Sequence, residues 1–342
     1  MQAWLLKNPA NNLLLSTVVS KAKGRDISGV LILDKPAGMS SNYVLQQIKR
    51  LYGARKAGHT GALDPLATGV LPICFGEATK FSQFLLDADK RYQTTAQLGV
   101  RTDSSDADGT VIATKSSAHI TLAEVEAQLP KLRGTISQVP SMFSALKHKG
   151  QPLYKLARKG AKVTVPARQV TIYDLTLMAF VDTQVSMDIT CSKGTYIRSI
   201  VEDLGLALGV GAHVVKLRRL QVGPFMAKHM ITPEQLTKTV EDVQRKNEGK
   251  IKAELVFAAL DALLLPVDTA VLSASAVQLS SRQCVKLQQG RPIQLDQAQI
   301  NPGIVRVYGT HMPTNKAFLG VADVSADGTL RARRLLQTQV DV

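Results

Sequence analysis

The chain has 342 residues, 45% of them hydrophobic and 20% charged, which is typical of a folded protein and long enough for two domains. Lysine and arginine number 42 against 27 aspartate and glutamate residues, so the net charge of +15 favours a polyanionic partner. Three widely spaced cysteines and the lack of an 18-residue apolar run argue against a disulfide framework, a zinc site and a membrane span. We therefore expect a cytoplasmic protein with reduced thiols.

Residues 1–23 carry a short apolar run without the basic start or the cleavage site of a signal peptide. We predict that they form a disordered N-terminal extension. From residue 24 to residue 262, strand and helix patterns alternate without a regular β-α-β rhythm, which favours an α+β fold with a mixed sheet.

Capping residues and turns set the limits of several elements in this region. Ser40 or Ser41 caps the first helix and Gly53 ends it, while Thr121 and Glu124 have the spacing of a capping box. A turn at residues 106–109 predicts a hairpin. Further helices are predicted over residues 76–86 and 122–132 and after 198, and strands over 29–33, 91–100, 110–113, 170–177 and 185–191.

Beyond residue 263 the pattern changes to short strands separated by turns, which is typical of a small β-barrel. The charged stretch 241–252 precedes this region as a solvated helix or a linker, so we place a domain boundary between residues 262 and 263. The predicted strands cover residues 284–287, 290–293, 303–308, 318–324 and 330–336.

The most informative segment is 58–72, with the sequence GHTGALDPLATGVLP. Glycine costs about 1 kcal/mol and proline about 3 kcal/mol inside a helix, so the segment predicts a shaped loop. Pro65 holds Asp64 away from the helical region of backbone space. An isolated carboxylate in a basic chain is a candidate nucleophile, although an Asx-turn is the commoner explanation for an Asp-Pro pair taken alone.

This loop and six further segments, in collinear order, resemble the TruB family of tRNA pseudouridine synthases over roughly residues 24–342. The six segments are GVLILDKPAGMS at 29–40, GEATKF at 76–81, KRY at 90–92, SALKHKGQPLYKL at 144–156, GTYIR at 194–198 and GAHVVKLRRL at 211–220. The resemblance implies the pseudouridine synthase catalytic fold over residues 24–262, with a mixed, mainly antiparallel sheet. Residues 263–342 resemble a PUA-type RNA-binding domain, and this match is less specific.

The resemblance implies that Asp64 breaks the glycosidic bond of a uridine, and that the uracil turns and bonds to the sugar through carbon 5. Attack at the ribose C1′ and proton abstraction leading to a glycal both remain open. The target base must leave its stack, because an enzyme cannot reach the glycosidic carbon inside a folded arm. We expect neither a cofactor nor a metal, since the six histidines are scattered and no phosphate-binding glycine motif is present.

The resemblance also assigns substrate-binding residues around Asp64. Tyr92 is expected to stack on the flipped base, although periodicity alone favours an ordinary strand aromatic. Tyr196 and Arg198, two residues apart, are expected on one face of an extended backbone, with Arg198 orienting Asp64 and lowering its pKa. Leu217 is expected to close the apolar wall. The other expected substrate-binding residues are Lys35, Pro36 and His59, together with Lys80 at a phosphate.

Residues 139–168 resemble the mobile RNA-clamping insertion of the family. Between positions 147 and 168 they hold seven lysines and arginines and no acid, although Ser141 and Phe143 stand where the family has proline and tyrosine. The resemblance implies a monomer that acts on uridine 55 in the T arm of tRNA, with no obligate protein partner and no membrane. A non-catalytic RNA-binding or tRNA-folding protein and a guide-RNA-dependent pseudouridine synthase are the alternatives.

Overall fold

The computed structural model describes residues 24–144, 146–157, 159–161, 163–247, 252–295, 301–312 and 315–337. The predicted N-terminal extension, residues 1–23, lies outside this part of the chain. The described strands are Gly29–Lys35 (β1), Ala57–His59 (β2), Thr68–Phe75 (β3), Lys90–Leu98 (β4), Val100–Thr102 (β5), Val111–Thr114 (β6), Gly134–Gln138 (β7), Lys147–His148 (β8), Gln151–Pro152 (β9), Arg168–Val181 (β10), Gln184–Cys191 (β11), Ala212–Val222 (β12), Phe225–Met226 (β13), Ser275–Leu279 (β14), Ile293–Gln294 (β15), Gly303–Met312 (β16), Asn315–Val324 (β17) and Thr329–Leu335 (β18).

The described α-helices are Ser41–Leu51 (α1), Ser82–Asp87 (α2), Leu122–Gln128 (α3), Leu153–Ala157 (α4), Ile197–Ala207 (α5), Pro233–Lys246 (α6), Ala253–Asp261 (α7) and Ser281–Gln288 (α8). Short 3-10 turns cover Gly76–Phe81, Leu129–Leu132, Ala227–His229 and Val267–Val271. In the part of the chain that these elements cover, no helix is long and apolar enough to cross a bilayer.

A nine-stranded sheet forms the centre of the molecule, with strand order β1-β3-β12-β4-β11-β10-β7. Strand β2 pairs with β3 and strand β13 pairs with β12 outside this order. The β3–β12 pair is parallel and the other pairs of this sheet are antiparallel. The predicted α+β fold with a mixed, mainly antiparallel sheet is therefore confirmed.

Separate hydrophobic clusters bury the central sheet. One cluster packs Ile200, Val201 and Leu204 of α5 against β4, β11 and β12. Another packs α1, α6 and α7 against β1 and β3, with Val44 and Ile48 fully buried on the inner stripe of α1. The apolar residues of these helices recur every three or four positions, so each helix buries one face and leaves the other in water.

Gly69 allows β3 to approach β12 closely enough to pair with it. Its φ is +101°, and a Cβ at this position would lie 2.1 Å from the carbonyl oxygen of Arg219. A side chain therefore fits neither the backbone conformation nor the space. The loop that carries Asp64 leads directly into β3, so this approach places the loop beside β12.

A second, five-stranded sheet lies at the C-terminal end, with strand order β14-β16-β17-β18-β15. Helix α8 packs on it through Cys284 and Leu287, and this PUA-like sheet confirms the predicted C-terminal fold. The sheet contacts the region of the central sheet through Phe318, whose ring centroid lies 5.4 Å from that of Phe81. The domain boundary after residue 262 stays a prediction.

The predicted strand over residues 284–287 is wrong, because these residues belong to the helix Ser281–Gln288. Ser280 accepts a hydrogen bond from the backbone of Gln283, whose side chain accepts one from the backbone of Ser280 in a capping box. A short apolar run does not distinguish a strand from one face of a helix. Here the capping pair decides in favour of the helix.

Candidate active site

Contacts from two neighbouring elements fix the loop that carries Asp64. The Ser41 hydroxyl, at the start of α1, accepts from the Leu63 amide at 2.8 Å and donates to the Leu63 carbonyl at 3.0 Å. On the other side of Asp64, the Pro65 carbonyl accepts from the amide of Gly38 at 2.8 Å. Asp64 therefore lies in a loop whose backbone is held on both sides.

Lys35 and Pro36 stand at the end of β1, beside the same loop. Lys35 is fully buried, and its Nζ donates to the carbonyls of Pro36, Pro65 and Ala67 at 2.8, 3.2 and 2.7 Å. Burial lowers the pKa of Lys35 to about 8, and the negative charge of Asp64 opposes this shift. The side chain supports the loop backbone, while the expected contacts of Lys35 and Pro36 with a substrate stay predictions.

The central contact of the site is an ion pair between Asp64 and Arg198. Arg198 Nε lies 2.9 Å from Asp64 Oδ2, and Nη2 donates to Oδ1 at 3.1 Å. The arginine side chain is only 3% exposed, whereas the aspartate side chain is 33% exposed. Arg198 also donates to the carbonyls of Ser104 and Phe143 at 2.8 and 3.0 Å, so the guanidinium is fixed while the carboxylate keeps an open side.

Asp106 supplies a second carboxylate to the same arginine, and sequence reasoning treated this residue only as part of a turn. Its Oδ2 lies 3.3 Å from Arg198 Nη1, and its side chain is 6% exposed. The Ser104 hydroxyl donates to Asp106 Oδ1 at 2.6 Å and thereby holds the carboxylate in place. No motif in the turn indicates this contact, because the partner lies in a distant part of the chain.

The pKa of Asp64 is raised above its ordinary value, because burial disfavours the charged form more than Arg198 favours it. The nearby Asp106 raises the pKa further through like-charge repulsion. Arg198 lowers the pKa of Asp64, as expected from the sequence. The effect of burial is larger, so the net shift of this pKa is upward. A carboxyl group with a raised pKa in a cleft is typical of a functional site.

The open side of Asp64 faces a cavity of about 320 Å³. Tyr92 of β4 and Leu217 of β12 line this cavity, as do Tyr196 and Arg198. The fold therefore brings the catalytic candidate together with four of the expected substrate-binding residues. Tyr92 and Leu217 are largely buried, so only a small part of each side chain is available to a ligand.

Tyr196 and Arg198 do not lie on one extended segment, so the premise for placing them on a common face is wrong. Tyr196 is the N-cap of α5 and Arg198 lies in its first turn. The Gln138 side chain accepts from the Tyr196 amide at 2.8 Å and donates to its carbonyl at 3.0 Å. The guanidinium carbon of Arg168 lies 4.8 Å from the Tyr196 ring centroid, a cation–π distance.

His59 ends β2 near the loop and is half-buried. Its Nδ1 is buried without a hydrogen-bond partner among the residues that the structure describes. Burial lowers the pKa of His59, and the positive charge of Arg219 lowers it further, which favours the neutral ring. The residue does not line the Asp64 cavity as described, so its expected contact with the substrate stays a prediction.

Lys80 lies apart from Asp64. Its Nζ pairs with Glu77 at 2.6 Å and donates to the carbonyl of Leu335 at 3.2 Å. The side chain lines a different cavity, of about 1020 Å³, together with Arg333 and Arg334 of the C-terminal sheet. A phosphate bound by Lys80 would therefore lie away from the Asp64 carboxylate.

Two buried basic residues, Lys90 and Arg219, also line the Asp64 cavity, and neither was predicted from the sequence as a site residue. Lys90 is largely buried, and its Nζ donates to the carbonyls of Leu85, Leu86 and Ala88, the Leu86 distance being 2.7 Å. Burial lowers the pKa of Lys90 to about 8. Arg219 also lines the cavity. The basic KRY and KLRR segments contain both residues, but nothing in them indicates which side chains turn inward.

The basic insertion stands at the rim of this cavity through Ser144 and Leu146. Its described part forms the β8–β9 hairpin and helix α4. Four of its lysines are exposed. They are Lys147, Lys149, Lys155 and Lys159. A cluster of exposed cations beside a cavity is an electrostatic footprint for a phosphate backbone.

Three family models match successive parts of the chain. Residues 49–197 match "TruB family pseudouridylate synthase (N terminal domain)", residues 198–272 match "tRNA pseudouridylate synthase B C-terminal domain", and residues 275–336 match "Pseudouridine synthase II TruB, C-terminal". The chain is 49% identical to tRNA pseudouridine synthase B of Yersinia enterocolitica over 94% of both chains. It is 50% identical to tRNA pseudouridine synthase B of Vibrio cholerae over 93% of this chain and 99% of the relative.

The chain belongs to the TruB family of pseudouridine synthases. The predicted family and enzyme class are therefore confirmed.

Solved structures give the same fold. A Cbf5-Nop10-Gar1 complex contains a chain with a TM-score of 0.63 and 25% identity, over 95% of this chain and 83% of that one. An H/ACA RNP bound to a substrate RNA containing 2′-deoxyuridine gives a TM-score of 0.65 at 24% identity, over 92% and 86%. At this level of identity the likeness supports the TruB-family fold.

Proposed function

We propose that this enzyme converts uridine to pseudouridine at position 55 in the T arm of tRNA, with Asp64 as the nucleophile. The observation that carries the proposal is the Asp64 carboxylate, fixed by Arg198 and open on one side to a cavity lined by Tyr92. The two TruB-family relatives named as tRNA pseudouridine synthase B, at 49% and 50% identity, support tRNA as the substrate.

The cavity suits a single base that has left its stack. Its volume of about 320 Å³ lies at the lower end of the range for small-molecule sites. Tyr92 offers an aromatic face, and stacking of a base on such a ring contributes about 1–3 kcal/mol. That gain is comparable to the few kcal/mol needed to unstack the base. Leu217 and Tyr196 also line the cavity.

The reaction needs a carboxylate whose position is set before the substrate arrives. Arg198 contacts both oxygens of Asp64, so the carboxylate does not have to be oriented during the reaction. Attack on C1′ displaces uracil with the electron pair of the broken C1′–N1 bond. The glycal route instead has Asp64 remove the C2′ proton while the same electron pair leaves. On the first route C5 then bonds to C1′ while the C1′–O bond to Asp64 breaks and returns its electron pair to the carboxylate. On the glycal route C5 bonds to C1′ while C2′ takes back the proton from Asp64. In both schemes C5 finally loses its hydrogen to solvent and N1 takes up a proton.

The RNA outside the cavity requires a basic surface. The exposed lysines of the insertion supply positive charge at the cavity rim, and Arg333 and Arg334 supply it on the C-terminal sheet. We propose that residues 24–262 act as the catalytic domain and residues 263–342 as a PUA-like RNA-binding domain. We expect a monomer that needs no protein partner and works in the cytoplasm, where its tRNA substrate is found.

The two alternative functions are less well supported. A guide-RNA-dependent synthase is disfavoured because the chain is 49–50% identical to the tRNA pseudouridine synthase B relatives but only 24% identical to the chain matched in the H/ACA RNP bound to a substrate RNA. A protein that only binds RNA does not need a carboxylate fixed by Arg198 at a base-sized cavity.

Mapping of pseudouridine in a treated tRNA tests the proposed position. An unmodified tRNA transcript is incubated with the enzyme, derivatised with a carbodiimide that marks pseudouridine, and read by primer extension. We expect one stop that reports position 55, and no stop in a matched transcript with cytidine at that position. A modified uridine elsewhere, with position 55 unchanged, would contradict the proposal.

A further inference from the structure

Arg219 is among the largest fully buried side chains of the described molecule, with 1% of its surface exposed. It lies on β12 opposite Tyr92 of β4 and Gly69 of β3. Its Nε donates to the carbonyl of Val70 at 2.7 Å, and its Nη2 donates to the carbonyl of Gly61 at 3.0 Å.

These partners are all neutral. Among the residues that the structure describes, no aspartate or glutamate forms an ion pair with Arg219. Its neighbour Arg218 differs, because it pairs with Asp34 at 2.7 Å and is 39% exposed. A buried charge without a counter-ion is unfavourable, so proteins rarely keep one unless it serves a purpose.

The charge of Arg219 acts on the cavity that contains Asp64. Arg219 lines this cavity together with Tyr92 and Leu217, the residues expected to hold the base. Burial lowers the pKa of His59 and Lys35 and raises that of Tyr92, and the positive charge of Arg219 acts on all three groups in the lowering direction. The field of this arginine therefore reaches the groups around the cavity.

The reaction produces a negative charge at the base. When the C1′–N1 bond breaks, its electron pair leaves with the uracil, which becomes an anion delocalised over N1, O2 and O4. This holds for attack on C1′ and for the glycal route alike. Fixed cations aimed at a developing negative charge, in a site with little water, are the usual source of electrostatic catalysis.

We propose that Arg219 is the counter-charge that stabilises the departing uracil anion, in addition to tying the Asp64 loop to β12. The inference rests on the proposed isomerase function. A purely structural role is the alternative, because the bonds to Gly61 and Val70 connect both ends of the loop region to β12.

The first test compares Arg219→Gln, Arg219→Lys and the matched control Arg218→Gln in single-turnover reactions at saturating enzyme. We expect Arg219→Gln to slow the chemical step about 100-fold, the usual effect of losing one such stabilising group. Arg219→Lys keeps the charge and should be at least several-fold faster than Arg219→Gln. Arg218→Gln removes the same charge from the opposite side of the strand and should react within about threefold of wild type. An Arg219→Lys variant no faster than Arg219→Gln would contradict the proposal.

The second test separates charge stabilisation from a folding defect. Fluorine at C5 withdraws electrons and makes uracil a better leaving group, so tRNA with 5-fluorouridine at the target needs less help from a cation. We expect the loss of rate in Arg219→Gln, followed as disappearance of the nucleoside, to be at least fivefold smaller with this substrate. Equal losses with both substrates would overturn the inference and leave Arg219 structural. A wild type inactive on uridine would overturn the proposed function as well.

Discussion

Replacing Asp106 by asparagine should slow the reaction although Asp106 does not line the cavity as described. The substitution keeps the shape of the side chain and removes the second carboxylate that contacts Arg198. Arg198 then keeps Asp64 and the carbonyls of Ser104 and Phe143 as partners. We expect a guanidinium that is held less firmly and a carboxylate that is oriented less well.

The size of the effect follows from the Nη1–Oδ2 distance of 3.3 Å. With an effective dielectric constant near 20, the gross attraction at this distance is about 5 kcal/mol. Desolvation offsets most of it, and the net contribution of a hydrogen bond to a charged group is about 1.5–3 kcal/mol. If this contribution is felt in the transition state, the rate falls about 10- to 150-fold, since about 1.4 kcal/mol changes a rate tenfold.

The assay is single-turnover pseudouridine formation at saturating enzyme, with tRNA affinity and the unfolding midpoint measured in parallel. Asp108→Asn is the matched control, because it removes the same charge from an exposed position of the same turn. We expect a loss of less than about threefold for the control and unchanged tRNA affinity for both variants. A folded Asp106→Asn variant that reacts as fast as wild type would refute the coupling through Arg198.

Three further predictions concern pH, stacking and RNA affinity. Because the ionised Asp64 is required and its pKa is raised, the rate should fall with decreasing pH already above the ordinary value of 3.8, and a profile that is flat down to pH 4 would contradict this. Above about pH 8, Lys35 loses its charge and keeps only two hydrogens for the carbonyls of Pro36, Pro65 and Ala67, so a second fall is expected there. The rate of Tyr92→Leu should fall about 5- to 150-fold, because stacking of about 1–3 kcal/mol is lost. Tyr92→Phe keeps the aromatic ring, so its fold-loss of rate should be less than a tenth of that of Tyr92→Leu. Equal losses of rate in the two variants would argue against stacking. Replacing the four exposed insertion lysines by alanine should weaken tRNA binding and reduce its salt dependence by about one unit of slope per lost phosphate contact, without changing the saturated rate, and an unchanged affinity would exclude the insertion as an RNA clamp.

Local patterns predicted the elements whose determinants lie within a few residues of one another. The N-cap at Ser40 and the capping box of Thr121 and Glu124 depend on contacts three residues apart, and both are present. The predicted strand at residues 284–287 is wrong because the prediction used only the apolar run and not the capping residues beside it. An apolar run of four residues carries no period, and only the Ser280 cap distinguishes the two structures.

The hydrogen bonds that hold the site residues in place could not be predicted, because they join residues that are far apart in the sequence. Arg219 and Gly61 are separated by 158 residues, and Gln138 and Tyr196 by 58 residues. The resemblance supplied Asp64 and Arg198 as a pair, but the sign of the pKa shift at Asp64 depends on burial, which a motif does not report. Asp106 lies in a predicted turn, and the sequence of that turn does not indicate its contact with Arg198.

Tritium release from tRNA labelled at C5 of uridine tests the central claim most directly, because the C5 hydrogen is lost only when C5 bonds to the sugar. Wild type is compared with Asp64→Asn, and tRNA affinity is measured for both. We predict release by wild type alone, with the affinity of the variant within a few-fold of wild type. Release by Asp64→Asn at the wild-type rate would contradict the role of the carboxylate. No release by wild type, with tight tRNA binding, would contradict isomerisation itself.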